Sequence, residues 1–272
     1  MMGELVAFKD ARKGRGLYRA EVLRTHEVTP HMLRVTVQGE DLTSLPRRGF
    51  DHWFRLFLPQ PGQEVDFSRV PDNLSMGSYL KFLTSPAGTR PIFRSYTVRE
   101  LRSEQGEMDI DFVVHGDRGV AGPWAQQASA GDHIALIDQG CGFDLLDDAD
   151  FHLLAGDESA VPALLGILRD LPRDAKGLAI IEVPTRADIQ SAPAPEGFEV
   201  MWLARDSSAQ PVGAAALAAL REFTPDHPET LSAYVVGERT LATEGRRHLV
   251  KAGVPKGRIS FVGYWRAGKA QQ

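Results

Sequence analysis

The strongest constraint on the fold is a change in sequence pattern near residue 150. From residue 151 onward, apolar runs of strand length, among them FHLLAGD, GLAIIEVP and LSAYVVGE, alternate with helical segments such as SAVPALLGILRDL and RTLATEGRRHLVKAG. Alternation of this kind is typical of a parallel, doubly wound sheet. We therefore predict a C-terminal α/β domain of the nucleotide-binding type over residues 149–272.

The preceding part of the chain follows a different pattern. Residues 17–140 contain six short strand-like runs, from LYRAEVLRTHEV to GDHIALIDQG, separated by Gly, Pro and Asp. Many short strands with few helices predict a small barrel, here six-stranded and antiparallel. We expect this domain to span residues 1–148, with residues 1–16 flexible. A long insertion at 61–89 interrupts the pattern, and loops of that length are more often functional than idle.

Composition narrows the class of protein. The chain has 272 residues, a net charge of −5 and one cysteine, so neither an internal disulfide nor a multi-cysteine metal site is expected. Its eight histidines are scattered without ligand spacing, and we predict no protein-bound metal. No apolar run reaches the length of a membrane span or a signal peptide. We expect a cytoplasmic monomer with neither a membrane nor a nucleic acid as partner.

The stretch FRSYTVRE carries an unusual load for a strand. Period-two alternation places Arg94 and Tyr96 on one face, with Ser95, Thr97 and Arg99 on the other. A guanidinium suits a pyrophosphate, and a tyrosine ring suits a flat heterocycle. The alternative, a surface strand with scattered basic residues, is equally compatible with this stretch alone.

A second feature points to the same chemistry. The run DFVVHGDRGVAGPWAQQ passes from a strand through a Gly-rich turn into a short helix that begins near Pro123. Backbone N–H groups at a helix start can receive an anion. A basic strand and a helix start in one barrel would both suit a pyrophosphate.

These motifs together resemble the siderophore-interacting protein family. The resemblance is carried by RSYTVR, DFVVHGDRGVAGPWA, AGDESAVPALLGIL and GYWRAG, supported by VTPHMLRVTVQG, and covers residues 17 to 268. Members are FAD-containing ferric-siderophore reductases of the ferredoxin-reductase superfamily. The resemblance implies an FAD-binding barrel followed by an NAD(P)H-binding-like domain.

The resemblance also implies which residues hold FAD. Arg94 would face the pyrophosphate, while Tyr96 and Thr97 would lie at the reactive edge of the flavin, where electrons are transferred. The full implied set is Arg94, Ser95, Tyr96, Thr97, Val98, Asp111, Val113, His115, Val120, Ala121, Gly122 and Trp124. The family more often has a Pro-Ala pair after the glycine of the turn, whereas this chain has GVAGPW. Which amides face the phosphates therefore stays open.

The α/β domain lacks the Gly-x-Gly-x-x-Gly fingerprint of dinucleotide-binding proteins. By resemblance, its first strand-to-helix turn would face the flavin and nicotinamide region. Ligands bind at the carboxyl ends of strands in open α/β sheets, so Glu182 could contact a ribose hydroxyl and Arg205 an adenosine 2′-phosphate. The turn residues are Gly156, Asp157, Glu158 and Ser159. Ordinary helix capping by the two acids and a solvated Arg205 are the alternatives. NADPH or NADH is expected to bind shallowly and transiently.

An anionic ferric siderophore requires a basic docking surface on an acidic protein. The candidates implied by the family are Arg55, Arg118, Arg266 and Lys269, with solvated surface charge as the alternative for each.

The expected activity is FAD-dependent reduction of Fe(III)-siderophore by single electrons, which releases Fe(II) for iron assimilation. The electron donor is expected to be NADPH, NADH or ferredoxin. Two other functions stay open: a general NAD(P)H:flavin or ferredoxin-type reductase with another acceptor, and a non-catalytic carrier of ferric chelates.

Overall fold

A computed structural model describes residues 16–59, 92–114, 120–206 and 208–268. The chain forms two compact units. The antiparallel unit contains the described chain up to Arg48 together with His52–Cys141, and the α/β unit contains Gly49–Asp51 and the chain from Gly142 onward. The predicted class, an antiparallel β domain followed by a parallel α/β domain, is confirmed.

Seven strands build the antiparallel unit. They are β1 (Tyr18–Thr29), β2 (Met32–Gln38), β3 (Trp53–Leu58), β4 (Ile92–Thr97), β5 (Glu100–Arg102), β6 (Glu107–Val113) and β7 (His133–Gly140). Their order in the sheet is β4-β3-β7-β1-β2-β6-β5. One short helix, α1 (Ala121–Gln127), follows β6. Apolar side chains that alternate along the strands, among them Val35, Phe54 and Ile110, form the core.

The predicted single strand FRSYTVREL is in fact two strands, so the described sheet has seven strands rather than six. The strand breaks after Thr97 because the Val98 amide donates to the His52 carbonyl oxygen at 2.7 Å, whereas the Arg99 amide donates to the Asp109 carbonyl oxygen at 3.0 Å. The strands β4 and β5 are the two edges of the sheet. Because only two residues separate these edges along the chain, the sheet has to curl round on itself, as the predicted barrel requires.

The α/β unit follows the predicted alternation. Its strands are β8 (Phe151–Gly156), β9 (Lys176–Val183), β10 (Gly197–Ala204), β11 (Leu231–Glu238) and β12 (Ile259–Trp265), all parallel, in the order β10-β9-β8-β11-β12. Its helices are α2 (Val161–Asp170), α3 (Ala214–Glu222) and α4 (Arg239–Lys251). Apolar residues of α3 and α4 pack against one face of the sheet. The carboxyl ends of the strands therefore share one edge, where the predicted nicotinamide-binding residues are found.

Three residues from the first half of the chain, Gly49–Asp51, belong to the α/β unit. The Phe50 amide donates to the Asp170 carboxylate at 2.6 Å. Asp51, 2% exposed, accepts from the amides of Gly142 and Phe143 and from the Tyr234 hydroxyl, the last at 2.7 Å. The units thus divide at residues 141/142, with this insertion, whereas the sequence-based prediction puts the boundary at 148/149.

Among the described residues, no helix is long and apolar enough to cross a membrane.

We predict that Gly166→Ala destabilises the protein, although alanine is the better helix former. A Cβ atom at this position of α2 would lie 2.2 Å from the Phe50 carbonyl oxygen, which is backbone and cannot rotate away. Overpacking of this kind costs about 1–3 kcal/mol of unfolding free energy, measurable by urea denaturation. Gly257→Ala is the matched control because nothing lies within 4 Å of its Cβ position. Equal stability of the two variants would contradict the prediction.

Candidate functional site

A row of three aromatic rings joins two of the predicted flavin-binding residues. The ring centroids of Tyr96 and Phe112 are 4.4 Å apart, and those of Phe112 and Trp124 are 5.6 Å apart. Strand β4, strand β6 and helix α1 each contribute one ring. Burial raises the pKa of Tyr96, so its hydroxyl stays protonated and can donate a hydrogen bond. Phe112 was not among the predicted site residues. The alternation along DIDFVV puts it on the same face of the strand as Ile110, which is a core position.

Arg94 and Tyr96 share one face of β4, as period-two alternation predicts. They pair across the sheet with the core residues Leu56 and Phe54, respectively. The Arg94 side chain is half-buried, and its Nη1 donates to the Phe93 carbonyl oxygen at 2.7 Å. Burial lowers the pKa of Arg94. A guanidinium removed from water in this way would be stabilised by an anion such as a pyrophosphate.

Asp111 lies on β6 but its carboxylate is already engaged. Both of its oxygens accept from Arg34, at 2.7 and 2.9 Å, and Arg99 lies 3.5 Å from it. A carboxylate held by two guanidiniums is a structural ion pair rather than an open acceptor. The implied contact between Asp111 and FAD therefore does not match this geometry.

The start of helix α1 meets the end of strand β6. A Cβ atom at Gly122 would lie 3.3 Å from the Val113 carbonyl oxygen, so the helix start and the strand end approach each other closely. Val120 occupies the N-cap position, and its side chain makes no hydrogen bond to the first turn of the helix. Three predicted residues of the turn, Val113, Val120 and Gly122, are thus brought together, whereas His115 lies outside the described residues.

In the α/β unit, three predicted residues form one ion cluster. Arg205 donates to both Glu158 oxygens at 2.7 and 2.8 Å, and to Glu182 at 2.9 Å. Burial works to lower the pKa of Arg205, but the two carboxylates offset this and raise it. The guanidinium is only 12% exposed. Arg205 was predicted to contact a 2′-phosphate. In the structure its N–H groups instead donate to two protein carboxylates.

Glu182 has a structural role different from the predicted ribose contact. Its carboxylate is fully buried and accepts from the amides of Gly213 and Ala216 at 2.7 and 2.9 Å. These amides belong to the start of helix α3, where backbone donors lack intrahelical partners. Glu182 therefore caps α3 and anchors Arg205, and no oxygen is exposed for a nucleotide.

Asp157 joins the ends of three strands. Its Oδ1 accepts from the Ser159 amide at 2.9 Å, and its Oδ2 accepts from the Glu238 amide at 2.5 Å and lies 3.3 Å from the Trp265 indole nitrogen. A Cβ atom at Gly237 would lie 2.5 Å from Oδ2, so glycine is required beside this carboxylate. Burial first, and then the charge of Glu158, raise the pKa of Asp157 to about 6.

The remaining turn residues also have packing roles. A Cβ atom at Gly156 would lie 2.5 Å from that of Ala160, so glycine allows the helix start to approach the end of β8. The Ser159 hydroxyl donates to Asp157 at 2.5 Å. The four turn residues are thus together at the predicted edge, but Asp157 is completely buried and Glu158 nearly so.

The four predicted siderophore contacts are only partly described. Arg55 lies on the face of the sheet opposite Arg94, donates to the Ser95 hydroxyl at 3.2 Å, and lies over the rings of Trp53 and Phe93 at 5.4 and 5.5 Å. Arg266 is exposed just beyond β12. Arg118 and Lys269 lie outside the described residues. Since Arg55 and Arg266 belong to different units, the predicted convergence of the four on one mouth stays a prediction.

Comparison with known proteins identifies the class and then the family. The family model described as the siderophore-interacting FAD-binding domain matches residues 21–141, which makes the antiparallel unit an FAD-binding domain. A second model, described as siderophore-interacting protein, matches residues 149–268. The chain belongs to the siderophore-interacting protein family.

Several relatives extend over nearly the whole chain. The chain is 34% identical to ferric vibriobactin reductase ViuB of Vibrio cholerae over 93% of this chain and 90% of that protein. It is 30% identical to the NADPH-dependent ferric-chelate reductase of Escherichia coli over 90% and 91% of the two chains. A siderophore utilization protein from T. fusca, solved as a crystal structure, is 30% identical with a TM-score of 0.78, covering 96% and 97% of the two chains.

The residues of the antiparallel unit fit FAD. A half-buried guanidinium suits a pyrophosphate, and the Tyr96 and Trp124 rings suit flat heterocycles.

We predict that Arg205→Ala lowers the unfolding free energy by about 3–5 kcal/mol, because it leaves two buried carboxylates without their cation. Its effect on the use of NADH and NADPH should be equal, since the guanidinium binds protein carboxylates. Chemical denaturation and steady-state kinetics with both donors measure this. Arg186→Ala, at an 87% exposed arginine, is the control and should change stability by less than about 0.5 kcal/mol. A selective loss of NADPH use at full stability would contradict the prediction.

The raised pKa of Asp157 should be visible in the pH dependence of the unfolding free energy. Because its folded-state pKa is raised from 3.8 to about 6, the folded protein binds this proton more tightly than the unfolded chain. The resulting stabilisation is present at low pH and is lost as the pH rises through about 6. Relative to Asp157→Asn, which cannot titrate, the wild type should lose up to about 3 kcal/mol between pH 4 and pH 7.5. A pH-independent difference in urea denaturation would rule this out.

Proposed function

We propose that this protein is an FAD-dependent reductase of ferric siderophores, converting Fe(III) to Fe(II) in the chelate. The observation that carries the proposal is the Arg94 and Tyr96 face of β4, next to the aromatic row that ends at Trp124, within a domain of the FAD-binding family. The printed names of two relatives, ferric vibriobactin reductase and NADPH-dependent ferric-chelate reductase, support the same activity. Bound FAD would supply the ability to accept two electrons together and release them singly.

The antiparallel unit provides the residues for the flavin. Arg94 would bind the pyrophosphate, and the Tyr96 ring would pack along the flavin, with its protonated hydroxyl as a hydrogen-bond donor. Thr97, 9% exposed at the end of β4, would lie by the reactive edge. The remaining contacts in this proposal are made by Ser95, Val98, Val113, His115, Val120, Ala121, Gly122 and Trp124.

Reduction is an effective way to release iron from its chelate. Fe(III) is held by hard, mostly anionic oxygens, and the same ligands hold Fe(II) far less tightly. One electron therefore releases the metal while the chelator stays intact. Because many ferric siderophores are anionic, we assign Arg55, Arg118, Arg266 and Lys269 to their docking, since a local positive potential raises encounter rates with anions.

A nicotinamide nucleotide is the proposed electron donor, bound shallowly at the carboxyl edge of the parallel sheet. The four acids at this edge, Asp157, Glu158, Glu182 and Glu238, disfavour a pyrophosphate deep in the turn. The name of the Escherichia coli relative supports NADPH, and ferredoxin is the alternative donor. Since nicotinamide nucleotides are donors of the cytoplasm, we assign the reaction to that compartment.

Anaerobic half-reactions test the function directly. The oxidised holoprotein is mixed with NADH, NADPH or reduced ferredoxin, and the bleaching of flavin absorbance is followed by stopped flow. The reduced protein is then mixed with a panel of ferric siderophores, and Fe(II) is trapped with a colorimetric chelator. Reoxidation coupled to Fe(II) release supports the reductase. Reoxidation by oxygen or ferredoxin but by no ferric chelate would favour a general flavin reductase, and a colourless protein that cannot be reconstituted with FAD would favour a carrier.

We predict that Arg94→Ala weakens FAD binding by about 1.5–3 kcal/mol, the size of a charge-assisted hydrogen bond, which is roughly a 10- to 150-fold increase in Kd. Titration of the apoprotein with FAD, followed by flavin fluorescence, measures this. Arg55→Ala is the matched control, since Arg55 lies on the neighbouring strand but on the opposite face of the sheet. Wild-type FAD affinity in Arg94→Ala would remove Arg94 from the flavin site.

A further inference from the structure

The chain segment just beyond β12 is held at two points that flank Arg266. Before it, the Trp265 indole nitrogen lies 3.3 Å from the Asp157 carboxylate. After it, the Ala267 amide donates to the Glu238 carboxylate at 3.3 Å. Arg266 itself is exposed. An exposed cation is thus carried by backbone that is fixed on both sides.

Both holding carboxylates are buried. Asp157 is 0% exposed and Glu238 is 4% exposed. Glu238 also accepts from the Thr240 amide at 2.5 Å, which caps helix α4. Gly237, the last residue but one of β11, leaves the space that the Asp157 carboxylate occupies. The two attachment points are therefore part of the sheet edge and do not depend on mobile surface side chains.

The acids at this edge are engaged with partners other than Arg266. Asp157 and Glu238 accept from amides and an indole N–H group, and Glu158 is paired with Arg205. Among the described residues, Arg266 forms no ion pair within 4.0 Å, in contrast to Arg205 and Arg258. Its guanidinium is thus left available to an anion from solution.

We propose that Asp157 and Glu238 are positioning residues for Arg266, which they hold, through Trp265 and Ala267, as an exposed contact for an anionic ferric chelate. The inference rests on the proposed function for the identity of the anion. It assigns to the two buried acids an indirect role in choosing the substrate by charge, in place of a direct contact with nicotinamide for Asp157. Fixed backbone favours binding because less conformational freedom of the arginine is lost when the complex forms.

The test is a double-mutant cycle on binding, measured by titration calorimetry with the oxidised holoprotein. The anionic probe is ferric enterobactin, and the cationic probe is ferrioxamine B. Arg266→Gln should raise the Kd for the anionic probe roughly fivefold, as expected for one exposed charge contact, and change that for the cationic probe by less than about twofold. Asp157→Asn and Glu238→Gln should each raise the anionic Kd by roughly two- to fivefold. In the Arg266→Gln background, both further effects should vanish because they act through the same guanidinium.

Two further variants protect the test against misfolding. Trp265→Phe removes the indole N–H donor together with part of the ring and keeps the Asp157 carboxylate, so it should reproduce the effect of Asp157→Asn in a folded protein. Asp188→Asn alters another buried acid of the α/β unit, one that accepts from the Thr185 amide and hydroxyl, and should leave both Kd values unchanged.

The outcomes separate this inference from the proposed function. Effects of Asp157→Asn that persist in the Arg266→Gln background, or that weaken both probes equally, overturn the positioning role. A protein that binds the anionic probe with the expected cycle but reduces neither ferric chelate overturns the reductase and leaves the positioning role intact.

Discussion

The structure depends on buried carboxylates that accept backbone N–H groups where strands end and helices begin. Among the described residues, six of them, each 4% exposed or less, play this part: Asp51, Asp138, Asp157, Glu182, Asp188 and Glu238. A carboxylate removed from water must regain strong hydrogen bonds, and an amide at a helix start has no partner within its own helix. The hydrogen bond between the carboxylate and the amide therefore satisfies both groups. Replacing these acids would leave unpaired donors at the edges on which the site is built.

The two-residue crossing after Thr97 gives the antiparallel unit its other constraint. It passes the chain from one edge of the sheet to the opposite edge. It also ends β4 immediately after Tyr96 and Thr97. The predicted flavin edge thus lies where the strand stops, while Arg94 and Tyr96 are held by full pairing with β3. The two-residue crossing and the pairing with β3 together determine where the side chains of Arg94, Tyr96 and Thr97 lie.

Sequence reasoning was strongest where a periodic pattern determines structure. Alternation of strands and helices predicted the five parallel strands, and period-two alternation predicted the shared face of Arg94 and Tyr96. The break after Thr97 was missed because FRSYTVREL is a continuous strand pattern, and only hydrogen bonds to distant residues end it. The carboxyl edge was predicted as a location for Glu182 and Arg205, but their partners were not. The position of a residue along its strand predicts at which edge of the sheet the side chain lies. Its ion-pair partners depend on which charged residues from other strands reach the same edge.

The insertion of Gly49–Asp51 into the α/β unit has a consequence for the history and handling of this chain. A fragment that begins at residue 149 would lack the Asp51 carboxylate for the Tyr234 hydroxyl and the Phe50 amide for Asp170. The α/β unit is therefore not encoded by one continuous stretch of the gene, since three of its residues lie about a hundred residues upstream. Exchanging only the C-terminal half between two related proteins would separate Tyr234 from its own Asp51 and Asp170 from its own Phe50.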